Sequence, residues 1–110
     1  MAGYFELKAA AGGKFMFNLK AANHQVVLTS ETYGAKASAL AGIESVRKNA
    51  PNDSQYQRKT AKDNSPYFVL VAANSEPLGK SEMYSSTSAM EGGIASVKAN
   101  APTAEVKDVT

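Results

Sequence analysis

The chain has 110 residues, of which 44% are hydrophobic and 20% charged, and its formal net charge is +2. This composition is ordinary for a globular domain, and the small charge excess is unlike that of a strongly basic nucleic-acid-binding protein. The absence of cysteine excludes disulfides, thiolate nucleophiles and thiolate metal sites. No apolar run approaches the ~20 residues of a membrane span, and the start does not read as a signal peptide, so we predict a cytoplasmic protein without a membrane partner.

Two tandem copies of one unit make up the sequence. The segment GIESVRKNAP at 42–51 is repeated as GIASVKANAP at 93–102. The same shift of 51 residues aligns SETY at 30–33 with SEMY at 81–84. A lone unit of about 50 residues buries too little apolar surface to be comfortably stable. We therefore expect one compact domain over 1–110, with repeat one at 1–51, repeat two at 52–102 and a C-terminal strand at 103–110.

Each unit begins with three predicted strands. Residues 4–9, with the equivalent 55–61, form the first strand. The segment 14–30 alternates apolar and polar residues with the period of two that is typical of strands, and a turn in its middle makes it a hairpin. Asparagine tolerates positive φ, which favours a two-residue type I′ turn at Asn23-His24 and its repetition at Asn74-Ser75. The shift of 51 residues aligns the C-terminal segment 103–110 with the start of repeat two, which is expected to be a strand. By symmetry, this segment should therefore be a strand beside the sheet of the first unit.

A helix follows in each unit. An apolar stripe at helical spacing predicts it; its residues are Ala39, Ile43, Val46, Ala50, Met90, Ile94, Val97 and Ala101. Ser85 and Ser86 are N-cap candidates in the second unit, and Asn-Ala-Pro is a stop signal in both, because asparagine accepts a left-handed conformation and proline cannot continue the helix. Glycine costs about 1 kcal/mol inside a helix, so the repeated Gly42 and Gly93 predict a close backbone approach to the sheet or the partner helix.

One polar set is repeated and forms the first candidate site. Glu31 and Tyr33, with their equivalents Glu82 and Tyr84, could line two symmetry-related pockets. In the alternative, which we favour, each tyrosine packs its ring under the start of the helix while serine and glutamate end a strand. The single histidine, His24, lies in a turn without a second histidine or cysteine nearby, which makes it a poor metal ligand or base.

A second candidate site is an interaction surface on the strand around residue 69. Tyr67, Val69 and Val71 alternate with Phe68 and Leu70, so this strand is apolar on both faces. Either both faces are covered, which we favour, or one face exposes an apolar patch that binds a partner. Five basic residues could also cluster near the junction of the repeats, although we favour an ordinary solvated surface; they are Arg47, Lys48, Arg58, Lys59 and Lys62.

The tandem unit, the LKAAN hairpin at 19–23, the SE-x-Y pair and the doubled GI-x-SV-(R/K)-x-NAP helix closely resemble the YegP-like family of uncharacterised bacterial proteins. The resemblance covers essentially the whole chain. It implies an α+β fold in which two tandem β3-α-β repeats form one antiparallel sheet with exchanged C-terminal strands. Both helices would lie on one face, related by internal pseudo-two-fold symmetry. Members with two repeats look like fused dimers, and the family carries no established activity.

The leading functional hypothesis is a small binding or interaction module without catalysis. Its surface would be the sheet face opposite the helices, centred on Tyr67, Val69 and Val71. A weak nucleic-acid-binding protein is the second hypothesis, and an enzyme of unknown chemistry is the third. We predict a monomer, because the second repeat satisfies the first, and we assign no catalytic, cofactor-binding or metal-binding residue. The ligand is unknown from the sequence.

Overall fold

The computed structural model describes residues 3–110 and contains one seven-stranded sheet with two helices against one face. In chain order the elements are β1 (Tyr4–Ala10), β2 (Lys14–Lys20), β3 (Val26–Ser30), α1 (Lys36–Asn49), β4 (Tyr56–Thr60), β5 (Pro66–Val71), β6 (Pro77–Lys80), α2 (Thr87–Asn100) and β7 (Glu105–Asp108). The predicted α+β fold of two tandem units is confirmed. The repeat boundaries at 51 and 102 stay a prediction, and the first two residues of repeat one lie outside the described residues. No helix of residues 3–110 is long and apolar enough to cross a membrane.

The two units join at the centre of the sheet. The strand order is β4-β5-β6-β3-β2-β1-β7, so β3 of unit one lies antiparallel to β6 of unit two. Thr29 pairs with Lys80, its own equivalent 51 residues later, and this pair marks the pseudo-two-fold axis. All neighbouring strands are antiparallel except β1 and β7, which run parallel.

A single core lies between the sheet and the helices. All eight residues of the predicted helical stripes are buried, and they pack on inward strand residues such as Phe5, Phe17 and Phe68. The helix α1 contacts β5 and β6 of the other unit, and α2 contacts β3. Burying one large apolar side chain contributes about 1.5–3 kcal/mol, so much of each helix's stabilisation comes from a core to which both units contribute.

The helices end at the predicted Asn-Ala-Pro signals, with Asn49 and Asn100 as their last residues, but the ends are closed in a different way from the one predicted. The Ser86 hydroxyl accepts a hydrogen bond from the Ala89 amide at 3.0 Å, while Ala35 before α1 offers no side-chain cap. The predicted left-handed conformation of Asn49 and Asn100 is wrong, because both residues remain helical. Each asparagine amide instead donates to the carbonyl four residues earlier at 2.8 Å. The asparagines therefore extend the last helical turn through their side chains.

The hairpin turns are one residue longer than predicted. His24 and Ser75, and not the asparagines before them, have positive φ, at 68° and 69°. Each donates its backbone N–H to the carbonyl three residues earlier, which defines a type I turn followed by one left-handed residue. Asn23 and Asn74 accept a hydrogen bond from the amide two residues later. Asparagine is therefore selected for its side-chain acceptor rather than for positive φ.

The C-terminal strand belongs to the sheet of the first unit. The strand β7 follows α2 of unit two and pairs with β1, with Val106 in register with Phe5. Ala104, just before it, is buried, and the amide of Val109 donates to the carbonyl of Leu7 at 2.9 Å. The predicted exchange is confirmed. The prediction of an antiparallel sheet throughout is wrong at this one pair, because β7 runs parallel to β1.

The two edges of the sheet are protected in different ways. The strand β7 covers the edge of β1, while β4 forms the opposite edge with no further strand. The equivalent of Leu7 in β4 is Arg58, which lies on the helix side opposite Phe68. Its guanidinium binds Glu91 of α2 at 2.6 Å and Asp53 at 3.0 Å. An inward charge on an edge strand opposes pairing with another chain, so Arg58 protects one edge as β7 protects the other.

Deleting residues 105–110 should remove this cover from β1. We expect the free energy of unfolding to fall by about 2–4 kcal/mol, because the packing of Val106 and the hydrogen bonds of one short strand are lost. Urea denaturation measures the loss, and sedimentation velocity measures the self-association expected of an uncovered edge. The control is Val109→Ala, since this side chain is 59% exposed. An unchanged unfolding midpoint in the deletion variant would contradict the role given to β7.

Replacing Arg58 by leucine gives β4 the residue that β1 has at the same position. The inward charge and its bonds to Asp53 and Glu91 disappear, so we expect Arg58→Leu to self-associate at micromolar concentration in sedimentation velocity more than the parent chain does. Lys59→Leu, one residue along on the other face, is the control for added hydrophobicity. Equal association of the two variants would mean that the added surface hydrophobicity, and not the uncovered edge of β4, causes the self-association.

Candidate functional site

The repeated SE-x-Y segment closes the strand pairing in each unit. The Ser30 hydroxyl accepts a hydrogen bond from the Phe17 amide at 2.9 Å and donates to the carbonyl of Glu31 at 2.7 Å. Ser81 makes the same two bonds with Phe68 and Glu82, at 2.9 and 2.8 Å. A serine hydroxyl thus takes the place of a backbone carbonyl where β3 and β6 end. The serines of the motif are structural.

The tyrosines of this motif lie between sheet and helix. The ring of Tyr33 stacks on Phe17 with centroids 6.2 Å apart, and Tyr84 stacks on Phe68 at 6.4 Å, both at 11° between planes. Burial, more than the neighbouring glutamates, raises the pKa of both phenols above its usual value. The geometry agrees with the alternative in which the tyrosines pack under the helix.

The repeated glycines make room for these rings. A Cβ atom built on Gly42 would lie 2.9 Å from Cζ of Tyr33, and one built on Gly93 would lie 2.7 Å from Cζ of Tyr84. Neither glycine has positive φ, so space rather than backbone conformation requires them. The close approach predicted from the sequence is present, and its partner is the tyrosine of the same unit.

The glutamates of the motif line one groove, and the tyrosines are not among its lining residues. Glu31 and Glu82 are exposed, and both line an open groove of about 470 Å³ on the pseudo-two-fold axis. Its other lining residues are Thr29, Ser30, Lys80 and Ser81. The hypothesis of two pockets, each with a glutamate and a tyrosine, is replaced by a single groove with carboxylates from both units and one lysine.

The two arginines near the junction of the repeats are bound by other groups of the chain. Arg47 is bound to Glu44, to the carbonyl of Ala104 and over the ring of Phe5. Arg58 is held by two carboxylates, and hydrogen bonds from Lys98 and Arg58 lower the pKa of Asp53 to about 2. Both arginines are therefore used by the fold.

Tyr67, Val69 and Val71 lie on the sheet face opposite the helices, and in residues 3–110 no helix or strand packs over them. The favoured expectation that a further element covers this strand is thus wrong. Tyr67 and Val69 are half-buried among neighbouring side chains, and Val71 is 5% exposed. The ammonium of Lys80 lies 5.5 Å from the ring centroid of Tyr67. The patch is therefore small and bordered by charge.

Lysines surround this patch across the whole sheet. We call the strand residues directed away from the helices the open face. The register places six lysines and two glutamates on it: Lys8, Lys14, Lys20, Lys59, Lys80, Lys107, Glu6 and Glu105. Glu6 is paired with Lys20 at 3.3 Å and Lys8 at 3.9 Å. The alternation of Lys14, Met16, Asn18 and Lys20 in β2 was the sequence signal that could have revealed this face.

The charge of the molecule is concentrated on the open face. Six lysines minus two glutamates give it a formal charge of +4. The whole chain has twelve basic and ten acidic residues, which leaves six basic and eight acidic residues elsewhere, or −2. Basic residues therefore exceed acidic ones on the strands of the open face, whereas acidic residues are in excess in the rest of the chain. Glu31 and Glu82, which line the central groove with Lys80, are counted with the rest of the chain; counted with the open face, they would reduce its formal charge from +4 to +2.

His24 lies at one end of this surface. Its Nδ1 atom is 2.9 Å from the hydroxyl of Tyr4, and the two rings meet edge to face with centroids 5.8 Å apart. The ammonium of Lys107 lies 4.3 Å from the centroid of the same tyrosine ring. The left-handed turn thus positions His24 against β1, with one bond to a buried tyrosine.

Comparison with known proteins identifies the family. The family described as "Domain of unknown function (DUF1508)" matches residues 10–57 and 61–108, two segments displaced by the same 51 residues. A UPF0339 protein of Bordetella pertussis is 61% identical over 110 residues, covering 100% of this chain and 98% of that protein. UPF0339 protein YegP of Yersinia pestis is 49% identical over 108 residues, 98% of this chain and 96% of that one.

Two solved structures are similar along the whole chain. The solution structure of the protein of unknown function yegP from E. coli has a TM-score of 0.95 at 49% identity and covers 100% of this chain and 95% of that one. That of a UPF0339 protein from Shewanella oneidensis has a TM-score of 0.94 at 47% identity, with 100% and 93% covered. The chain therefore belongs to the uncharacterised DUF1508 (UPF0339) family, as the resemblance of its motifs to YegP-like proteins indicated.

Two adjacent glycines of α2 provide a matched test of the packing under the helix. Gly93→Ala should lower the free energy of unfolding by about 1–3 kcal/mol, because its Cβ would overlap Tyr84. Gly92 has no atom near its Cβ position, so Gly92→Ala should raise stability by about 1 kcal/mol. Tyr84→Phe should partly rescue Gly93→Ala, since the hydroxyl is the nearest atom. Chemical denaturation measures all three. Equal gains from the two alanines would refute the packing argument.

Proposed function

We propose that this protein is a non-catalytic binding module whose open face receives an anionic partner. The observation that carries the proposal is the separation of charge, with +4 on the open face and −2 on the rest of the chain. A surface of one sign raises the local concentration of oppositely charged partners and speeds their association. The apolar centre at Tyr67 and Val69 adds contact area to this attraction.

The fold supports this use of the open face. The opposite face is committed to the core with both helices, and the repeated motifs stabilise that core. The open face can therefore carry exposed side chains at fixed positions on a rigid sheet. Val71 is nearly buried and contributes shape rather than accessible surface. The accessible part of the predicted surface is Tyr67 and Val69 with the lysines around them.

The binding unit in this proposal is a single chain. Each helix packs against strands of both units, so the second unit supplies the contacts that a lone unit would need from another copy. The charged edge at Arg58 and the covered edge at β1 support the same conclusion, because neither offers an unprotected strand to a neighbouring molecule. The predicted monomer therefore remains part of the proposal.

Charge reversal with a heparin fragment as polyanion tests the proposal. Lys80→Glu places a carboxylate at the centre of the open face and should weaken heparin binding about tenfold or more at low salt. The matched control is Lys48→Glu on α1, also exposed and with the same change of net charge, which should leave binding nearly unchanged. Fluorescence anisotropy with labelled heparin gives both affinities. Equal losses in the two variants, or no heparin binding by the parent chain, would refute the proposal.

A further inference from the structure

We infer that the anionic partner of the open face is a single-stranded nucleic acid, an inference that rests on the proposed function. Sequence-independent binding of a single strand requires two chemical features. They are a positively charged path for the phosphates and an accessible aromatic ring on which a base can stack. The open face combines both.

The aromatic feature is Tyr67, the second residue of β5. It is half-buried, so its ring is fixed by its neighbours while part of it stays accessible. Lys59 lies opposite it on β4, and the ammonium of Lys80 lies over the ring, 5.5 Å from its centroid. A base that stacks on this ring would take the place of the Lys80 ammonium, which would then bind one flanking phosphate while Lys59 binds the other. An acidic peptide has no comparable use for the ring, which favours nucleic acid over protein.

The lysines of the open face are spread between β5 and β7. The strands β5 and β1 are four spacings apart, roughly 19 Å, and the register row between them runs through Lys80, Thr29 and Asn18 to Glu6, with Lys107 beyond it in β7. The cations of this row are therefore Lys80 and Lys107, and Lys8 and Lys20 lie beside Glu6. At the far end Lys107 lies over the ring of Tyr4. This ring is only 7% exposed, so Tyr4 positions the lysine and does not serve as a stacking surface.

The carboxylates near the path restrict the strand to certain positions. Glu6 is already paired with Lys8 and Lys20, while Glu31 and Glu82 border the groove at the centre. A flexible single strand can place its phosphates beside the lysines and avoid these groups. In a duplex the bases are stacked on one another and cannot reach the ring of Tyr67. The arrangement therefore selects single strands.

The test uses the full chain and fluorescently labelled twelve-residue oligonucleotides, oligo-dT and oligo-U, whose relative affinities show which nucleic acid is preferred. We expect salt-dependent binding by fluorescence anisotropy. Tyr67→Ala should weaken it by about 5- to 100-fold, the effect of removing one stacking surface, while Tyr67→Phe should retain it. Lys80→Gln should make the slope of log K against log salt shallower by about 0.7, and the control Lys48→Gln should leave it unchanged.

Two further probes separate the possible failures. A duplex of the same length should bind more weakly than the single strands, and polyglutamate should bind without sensitivity to Tyr67→Ala. If oligonucleotides bind no better than polyglutamate, or if Tyr67→Ala has no effect on them, the inference is wrong while heparin binding at the open face still supports the proposed function. If neither the oligonucleotides nor heparin bind, both are wrong. Circular dichroism and urea unfolding establish that each variant is folded.

Discussion

The pairing of β3 with β6 is the contact on which the rest of the structure depends. It joins the half-sheets at Thr29 and Lys80, and it allows each helix to pack over strands of both units. Gly79 makes this approach possible, because a Cβ there would lie 2.7 Å from Cγ of Leu28. Since a unit of about 50 residues has too little core to be comfortably stable alone, this junction turns two marginal units into one domain.

The two units share the residues of the scaffold, whereas most of their surface residues on the open face differ. The shared pairs Ser30 and Ser81, with the tyrosines and glycines of both units, all serve strand closure or packing under a helix. Most equivalent positions on the open face differ between the units, as Asn18 and Val69 show, although Lys8 and Lys59 are identical. A symmetric scaffold therefore presents an asymmetric surface. The serines, tyrosines and glycines that repeat within this chain serve the fold, while most open-face positions differ between the units.

The sequence predicted the parts of this protein that depend on local pattern. Periods of 2 and 3.6 residues located the strands and the helical stripes, because apolar residues at those spacings must share one core. The conformation of Asn49 and the residue with positive φ in the turns were missed, since an asparagine side chain can also satisfy a backbone group without a left-handed backbone. The parallel direction of β7 was missed because its short sequence carries no signal of direction. The single groove at the axis requires the register of β3 and β6, which no local pattern contains.

The net charge of +2 is the clearest case of a sequence property that conceals a structural one. Composition adds all charges together, whereas a partner meets one face at a time, over distances of about 10 Å or less at ordinary salt. Lys14 and Lys20 lie on the same face of β2 as Met16 and Asn18, so folding directs the apolar residues Phe17 and Leu19 to the helices and these lysines to the opposite side. The two arginines near the junction of the repeats are bound within the fold. Arg58 binds Glu91 at the edge strand β4, and Arg47 binds the carbonyl of Ala104 just before β7. The charges available to a partner are therefore the ones that strand periodicity, and not local clustering, brings together.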